Sequence, residues 1–566
     1  MKNTPSSPRI VADQIVDMLA GAGVKHIYGI TGDSLNAITN AITDDDRIGF
    51  IHMRHEESAA FAASAEAQLT KRLAACAGSS GPGHVHLING LYDAQRSNAP
   101  VLAIASTCPS SMFGTGYFQE TNPTLLFSNC SLYNEMAVNA AQIPHIMYGA
   151  MQHAVSEGGV AVVGIPEDVN GQPAVEGDAT LLPLFTQRKP QPSDEEIKAA
   201  ADILNEAKTV TIFAGSGVSE AIGQLKTLAD TLKAPVVTTF KSQMELTGDM
   251  PNYVGHLGYL GMWSADEAVA QADAILIIGT NFPFPSFFPT DKKIIQVDVR
   301  ADRLGKKARV NLGVRSDATL FISALLPALK EKSDTTFLNT HLKDFAGIKE
   351  KMQLPVKNPG TKGNIRPEFV FDTLDRLAAE DAIFTVDTGM NCVWTSHYLT
   401  PSKGREMVGS FTHGSMANAM PMAIGAAVAC PGRQVISLSG DGGLAMLLGD
   451  MLTINQYRLP VKILVADNRS LAYVQWEMEL AGFKPSEVSL DNPDFAEMAR
   501  TMGFHAETVT DPAALEDAME RWLEAEGPAL LSVTTDTTAA SFTFSKEMME
   551  GAKPTDLTSN FLPIGS

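Results

Sequence analysis

Short apolar runs alternate with stretches of helical period along most of the chain. That alternation predicts parallel β-sheets whose strands are joined by crossover helices. Val11, Ile15, Met18, Leu19 and Ala22 share one helical face, Gly23 closes the helix, and His26–Gly29 follows as a strand. Further strands are predicted at Leu73–Ala77, Val101–Ala105 and Val160–Val163. Pro183–Pro192 holds three prolines and no period, so it reads as a linker. Ser193 and Glu196 then form a capping box ahead of a helix with Ile197, Ala201 and Leu204 on one face. Strands at Val210–Ala214, Ala274–Ile278 and Ile294–Val297 build a second block that runs out near Leu329. A charged helical stretch leads into Gln353–Arg366, a Pro/Gly/Lys segment that reads as a second linker. The third block starts at Pro367, with strands near Ile383–Val386, Val435–Leu438 and Val461–Ala466. The predicted organisation is three α/β domains at residues 1–183, 193–335 and 366–535, with a tail at 536–566 where the alternation lapses.

Composition narrows the class. The 43 basic and 64 acidic residues give a formal charge of −21, with 45% hydrophobic and 19% charged residues. That hydrophobic share suits large buried cores and excludes wholesale disorder. The acidity argues against a nucleic-acid binder or a polybasic membrane anchor, since both need positive patches. It leaves room for a phosphorylated cofactor, because metal ions and helix N-termini neutralise phosphate locally. Cys76, Cys108, Cys130, Cys392 and Cys430 are odd in number and scattered, with no zinc or disulfide spacing. Reduced thiols in a cytosolic protein are expected. Met1–Arg9 lacks an apolar signal core, and no run approaches the ~18 apolar residues of a membrane span.

The strongest chemical signal lies in the third block. The strand Val435–Leu438 leads through Ser439 into Gly440-Asp441-Gly442-Gly443, and the strand Val461–Ala466 ends in Asp467 and Asn468. Asp441 and Asn468 are 27 positions apart, so a strand–helix–strand crossover returns both to the carboxyl edge of one sheet. A carboxylate and an amide oxygen there suit a hard cation such as Mg²⁺, and the glycines let backbone N–H groups approach a diphosphate. This pattern resembles the thiamine-diphosphate signature of pyruvate-oxidase and acetolactate-synthase type enzymes. The resemblance implies that Asp441, Asn468 and the Ser470 carbonyl hold Mg²⁺. Gly442, Gly443, Leu471, Ala472, Tyr473 and Val474 would then line the cofactor. Where the family often has two asparagines, this chain has Asp467 and Asn468.

In the first block, Arg54-His55-Glu56-Glu57 precedes a helix of small residues. By itself this is an ordinary helix with acids favoured by the macrodipole. The resemblance makes Glu56 the catalytic acid that bonds the aminopyrimidine ring, with Glu57 a bystander. Thr31-Gly32-Asp33 and Gly81-Pro82-Gly83, the latter six residues before Asn89, are similar to first-domain loops of the family; each alone is a turn. His413–Asn418 resembles the segment holding the aminopyrimidine. It implies a Gly414 carbonyl accepting from the 4′-amino group, Ser415 beside it and Met416 as an apolar wedge. The family's site forms between subunits, which implies at least a homodimer, and a homotetramer by family habit.

The loop Gly114–Glu120 resembles a pyruvate-oxidase loop that places Phe118 and Gln119 at the substrate. Tyr473, Val474 and Glu477 would complete that pocket, with Tyr473 where a Phe is usual. Gly215 and Gly217 after a strand are a weak dinucleotide signal, because Ser219 and Glu220 stand where a third glycine belongs. By resemblance, Leu257-Gly258-Tyr259-Leu260, Thr280-Asn281-Phe282-Pro283-Phe284 and Asp298 contact FAD. The resemblance covers roughly residues 8–535. It implies three doubly wound parallel-sheet domains: pyrimidine and diphosphate domains flanking a FAD domain. It also implies oxidative decarboxylation of pyruvate through hydroxyethyl-thiamine diphosphate to acetate or acetyl phosphate and CO₂. Electrons would pass through FAD to quinone or oxygen. An acetolactate-synthase-type carboligase with structural FAD, a non-oxidative 2-keto acid decarboxylase and a silent scaffold are the alternatives. Pro554 and Pro563 interrupt the tail and it carries only two lysines, so membrane contact is expected to be weak and the protein cytoplasmic, at most peripheral at the inner face.

Overall fold

The computed structural model describes residues 8–536, apart from 44, 176–182, 187, 247, 249 and 403. The tail residues 537–566, with Pro554 and Pro563, lie outside the described residues. Three six-stranded sheets carry the architecture, and every pairing within them is parallel. The central strands are apolar runs buried on both faces, as parallel sheets require; Val101–Thr107 and Val160–Pro166 are buried at every position.

Side by side, the first sheet runs Gly49–His52, His26–Gly29, Ala74–Gly78, Val101–Thr107, Val160–Pro166, Tyr133–Met136. The third sheet runs Glu406–Gly409, Ile383–Val386, Val435–Gly440, Val461–Asp467, Ala529–Thr534, His505–Val509. Both have strand order 2-1-3-4-6-5. The middle sheet runs Leu312–Arg315, Lys293–Asp298, Ala274–Ile278, Val210–Ala214, Val236–Thr238, Tyr253–His256, which is the order 3-2-1-4-5-6 read from its far edge. That order belongs to dinucleotide-binding sheets, and it reverses direction between Val210–Ala214 and Ala274–Ile278.

The strands Val210–Ala214, Ala274–Ile278 and Ile383–Val386 begin and end where the apolar runs do. Edge strands such as Tyr133–Met136 and His505–Val509 escape the pattern because they are short and partly exposed. The capping box forms as its spacing requires: Glu196 N–H donates to Ser193 Oγ at 3.2 Å and Ser193 N–H to Glu196 Oε2 at 2.7 Å. Gln353–Arg366 is not a plain linker. Helix Thr336–Val356 continues through its first residues with Pro355 in the last turn, and Gly360–Thr361 pairs with Asn364–Ile365 as a hairpin. Pro355 is tolerated because it sits at the frayed end of the helix. All five cysteines are free, and among the described residues no helix is long and apolar enough to cross a membrane.

The first and third sheets share one core through two small-residue helices, Glu56–Thr70 and Ala419–Ala429. Ala and Gly let the backbones approach closely; a Cβ on Gly425 would stand 2.1 Å from the Ala62 carbonyl oxygen. Since that neighbour is backbone and cannot swing away, Gly425→Val should cost ~3 kcal/mol by overpacking. The measurement is the urea midpoint of unfolding.

Candidate active site

In the third sheet the strand order reverses between Ile383–Val386 and Val435–Gly440, and the residues leaving those strands converge there. Asp441 begins the helix Asp441–Met446 directly after its strand. Asn468 follows the neighbouring strand, whose Ala466 pairs with Gly440. Asp441 is buried; its Oδ1 accepts from the Gly442 N–H at 2.9 Å and its Oδ2 from Asn492 Nδ2 at 2.8 Å. The other hydrogen of the same Asn492 amide goes to Asp467 Oδ1 at 3.0 Å. Burial, with Asp467 nearby, pushes the Asp441 carboxyl up to about 6. Two buried carboxylates share one neutral amide, so the donor set carries more negative charge than its protein neighbours offset. A hard divalent cation fits it.

A cavity of about 320 Å³ opens at this point, lined by Met416, Asp441, Gly442, Gly443, Asn468, Ser470 and the 471–474 segment. Ser415 is not in its wall: its Oγ accepts from Asn89 Nδ2 at 2.9 Å and donates to the Met416 carbonyl at 2.9 Å. The loop carrying Met416 is pinned by Asp387, which leaves the adjacent strand. Asn418 Nδ2 and the Ala419 N–H both donate to Asp387 Oδ1 at 3.3 Å. Burial raises Asp387 to about 7, and backbone N–H groups from Ala417 and Gly440 oppose the rise. Gly443 is a glycine for the same reason, since a Cβ there would lie 1.9 Å from Asp387 Oδ2.

At the middle sheet's reversal point Gly217 packs on Gly279, with only 2.7 Å between a Gly217 Cβ and the Gly279 Cα. A cavity of about 790 Å³ there is lined by Gly217, Asp298, Arg300 and Arg303. A second, of about 400 Å³, is walled by Leu257–Leu260 and Thr280–Phe284. The two share Asn98, Ser216, Lys241, Gly279 and Arg303. Gly215 lines neither; it is a packing glycine whose Cβ would meet the Gly279 carbonyl at 2.4 Å. The 400 Å³ cavity in turn shares Thr388, Gly389, Gly414, Tyr473 and Glu477 with the 320 Å³ cavity. One trough therefore runs from the middle sheet's edge to Asp441. Burial raises the Tyr473 phenol and the Glu477 carboxyl, so Tyr473 stays a neutral hydroxyl.

Glu56 lies elsewhere. It opens the helix Glu56–Thr70, where the His55 ring accepts from the Glu57 N–H at 3.1 Å as the cap. Its buried carboxylate meets His86 Nδ1 at 3.0 Å and faces Gly83. Gln119 Oε1 accepts from Ser80 Oγ at 2.9 Å in the same loop cluster, and Phe118 beside it is 74% exposed. Glu56, Phe118 and Gln119 thus gather at the first sheet's reversal point, and none of them lines the trough of their own chain. Glu57 is an anchor, accepting from Asn89 Nδ2 at 2.7 Å. Sequence reasoning missed His86, Asp387 and Asn492. Asp387 had a signal, an acid directly after an apolar strand, as at Asp441; Asn492 had none.

Three doubly wound sheets with converging strand ends define a cofactor-dependent α/β enzyme. Family models for the thiamine pyrophosphate enzyme match its N-terminal TPP-binding domain at residues 9–126, its central domain at 197–325 and its C-terminal TPP-binding domain at 387–533. The pyruvate oxidase of Lactiplantibacillus plantarum is 32% identical over 92% of this chain and 87% of its own. YdaP of Bacillus subtilis is 32% identical over 92% of this chain and 90% of its own. The acetolactate synthase isozyme 2 large subunit of Escherichia coli is 29% identical over 93% and 95%. The chain belongs to the thiamine pyrophosphate enzyme family. Because Asn492 orients the outer oxygen of Asp441, Asn492→Ala should weaken divalent-cation affinity about 10–100-fold. A Mn²⁺ titration followed by electron paramagnetic resonance, with thiamine diphosphate present, reads that change directly.

Proposed function

We propose that the chain is a thiamine-diphosphate- and FAD-dependent pyruvate oxidase, converting pyruvate to acetate or acetyl phosphate and CO₂ with quinone or oxygen as electron acceptor. The observation that carries this reading is the continuous trough, in which a dinucleotide-type sheet edge opens into the Asp441 cavity through the five shared residues. When bound, thiamine diphosphate supplies a nucleophilic carbon with an electron sink for decarboxylation, and FAD supplies a two-electron oxidant. Asp441, Asn468 and the Ser470 carbonyl would hold Mg²⁺. Gly414 and Met416 would seat the aminopyrimidine, and Leu257–Leu260, Thr280–Phe284, Gly217 and Asp298 would seat FAD.

Residues 1–183, 193–335 and 366–535 act in this reading as pyrimidine, flavin and diphosphate domains. Glu56 holds the proton exchanged with the aminopyrimidine, and Phe118 and Gln119 meet the substrate opposite Tyr473, Val474 and Glu477. The separation of Glu56 from its own chain's trough supports a site completed by a second copy, hence a homodimer at minimum and a homotetramer by family habit. Exposed Phe118 and Leu125 on one half-site, and Met446 and Phe483 on the other, give that pairing apolar surface to bury. We assign its work to the cytoplasm or the inner membrane face.

Relatives named acetolactate synthase, covering 93–94% of the chain, favour a carboligase as the second reading. Anaerobic addition of pyruvate, thiamine diphosphate and Mg²⁺ to the purified protein separates the two. The oxidase bleaches its flavin, whereas an unbleached flavin with acetolactate formed assigns the carboligase. Glu56→Gln should slow bleaching at least ~10²-fold with the flavin still bound; bleaching at the normal rate removes Glu56 as the acid.

A further inference from the structure

The carbonyl oxygen of Leu260, in the wall of the 400 Å³ cavity, accepts two hydrogen bonds from two histidines. His256 Nε2 lies 2.7 Å away and His397 Nε2 lies 3.0 Å away. A carbonyl only accepts, so both nitrogens carry a proton and both oxygen lone pairs are used. The rings stand 6.0 Å apart, buried against each other. Burial pushes His256 down to about 4 and His397 to about 3, so both are neutral donors near neutral pH.

The two donors come from different domains. His256 ends a strand of the middle sheet and closes the 256–262 loop on itself, together with the Met262 N–H donating to the His256 carbonyl at 3.0 Å. His397 sits in the last turn of helix Met390–Tyr398. That helix is bolted to the third sheet by Asn391 Nδ2, which donates to the Leu438 carbonyl at 3.1 Å. Its first turn, with Met390 and Asn391, lines the Asp441 cavity, while Cys392 lines the neighbouring one. One helix therefore floors the diphosphate-side cavity and, through His397, grips the wall of the flavin-side cavity. Gly258 and Tyr259 ride on that wall: Tyr259 packs on Phe284 at 4.6 Å and on Phe287 at 5.4 Å.

We propose that His256 and His397 are positioning residues that clamp the Leu257–Leu260 wall onto helix Met390–Tyr398, and so keep the flavin-side cavity in register with the thiamine-side cavity. The proposal rests on the flavin reading above. The clamp needs a neutral N–H donor at each position, not a charge and not bulk alone. A loosened wall lets the two redox partners drift, and a displacement of about 1 Å costs on the order of 10²-fold in a positioned reaction.

The test uses the full-length holoenzyme with His256→Met, His397→Met, His256→Gln and His397→Gln. Met keeps volume without a donor, and Gln restores a neutral N–H. In anaerobic stopped flow, the Met variants should be bleached by pyruvate 10–100-fold more slowly than wild type. Their photoreduction and KM for pyruvate should be unchanged, and the Gln variants should stay within about threefold of wild type. Loss of flavin from the Met variants alone also supports the clamp. Met variants that bleach at the wild-type rate, or Gln variants that fall as far as the Met variants, overturn it. If wild-type flavin is bound but not bleached, the oxidase reading fails on its own. The clamp is then read from the visible spectrum of the flavin, which must shift in the Met and not the Gln variants. A wild-type chain that binds no flavin overturns both.

Discussion

Parallel pairing sends the carboxyl ends of all six strands of a sheet to one edge, and in each sheet here the strand order reverses beside that sheet's first strand. At such a reversal the loops leaving the two neighbouring strands turn away from each other and leave a crevice. The crevices hold Asp387 and Asp441 in the third sheet, Gly217 and Gly279 in the middle sheet, and the Glu56–Gln119 loop cluster in the first. Glycine is required where backbones or buried carboxylates close on one another, as at Gly443 against Asp387. The helix crossing at Gly425 and the Leu260 clamp fix how the crevices sit relative to each other.

Electrostatics follows from that placement. Asp387, Asp441 and Asp467 are buried within a few residues of the third sheet's edge, in a protein already at −21. Burying a carboxylate costs several kcal/mol unless donors or a cation offset it. Asp387 is met by several backbone N–H groups and Asn418, whereas Asp441 and Asp467 accept one backbone N–H each, from Gly442 and Arg469, and share the one side-chain amide of Asn492. The shortfall is local, so the surface charge carries no information about it. A divalent cation fits where the carboxylates are under-compensated, and that fit needs no basic surface.

Much of the trough was legible in the chain because its contributors are contiguous. Asp441–Gly443 follows directly from a strand end, so local pattern and spacing place it, whereas Leu257–Leu260 and Thr280–Phe284 were marked by the resemblance alone. What escaped depends on partners distant in sequence. Asn492 lies 51 residues from Asp441 on a segment with no period, and its amide matters only because two strand ends converge on it. Edge strands such as Tyr133–Met136 are too short and too exposed to show alternation. The helix through Gln353 and Pro355 overrides local breakers because its apolar side packs under the middle and third blocks.

The sequence by itself determined the class: three blocks of buried apolar strands, an acid and an amide 27 positions apart, and a resemblance that the family models bear out. The strands, the acid and the amide are local or fixed by the length of one crossover, so local physics reads them, while the family came from the resemblance. Only the tertiary structure decided that Gly215 packs instead of lining a cavity, and that Glu56, Phe118 and Gln119 stand apart from their own chain's trough. It alone set two histidines 141 residues apart on one carbonyl. Such relations arise from how separately folded sheets dock, and no periodicity along a single strand or helix encodes them.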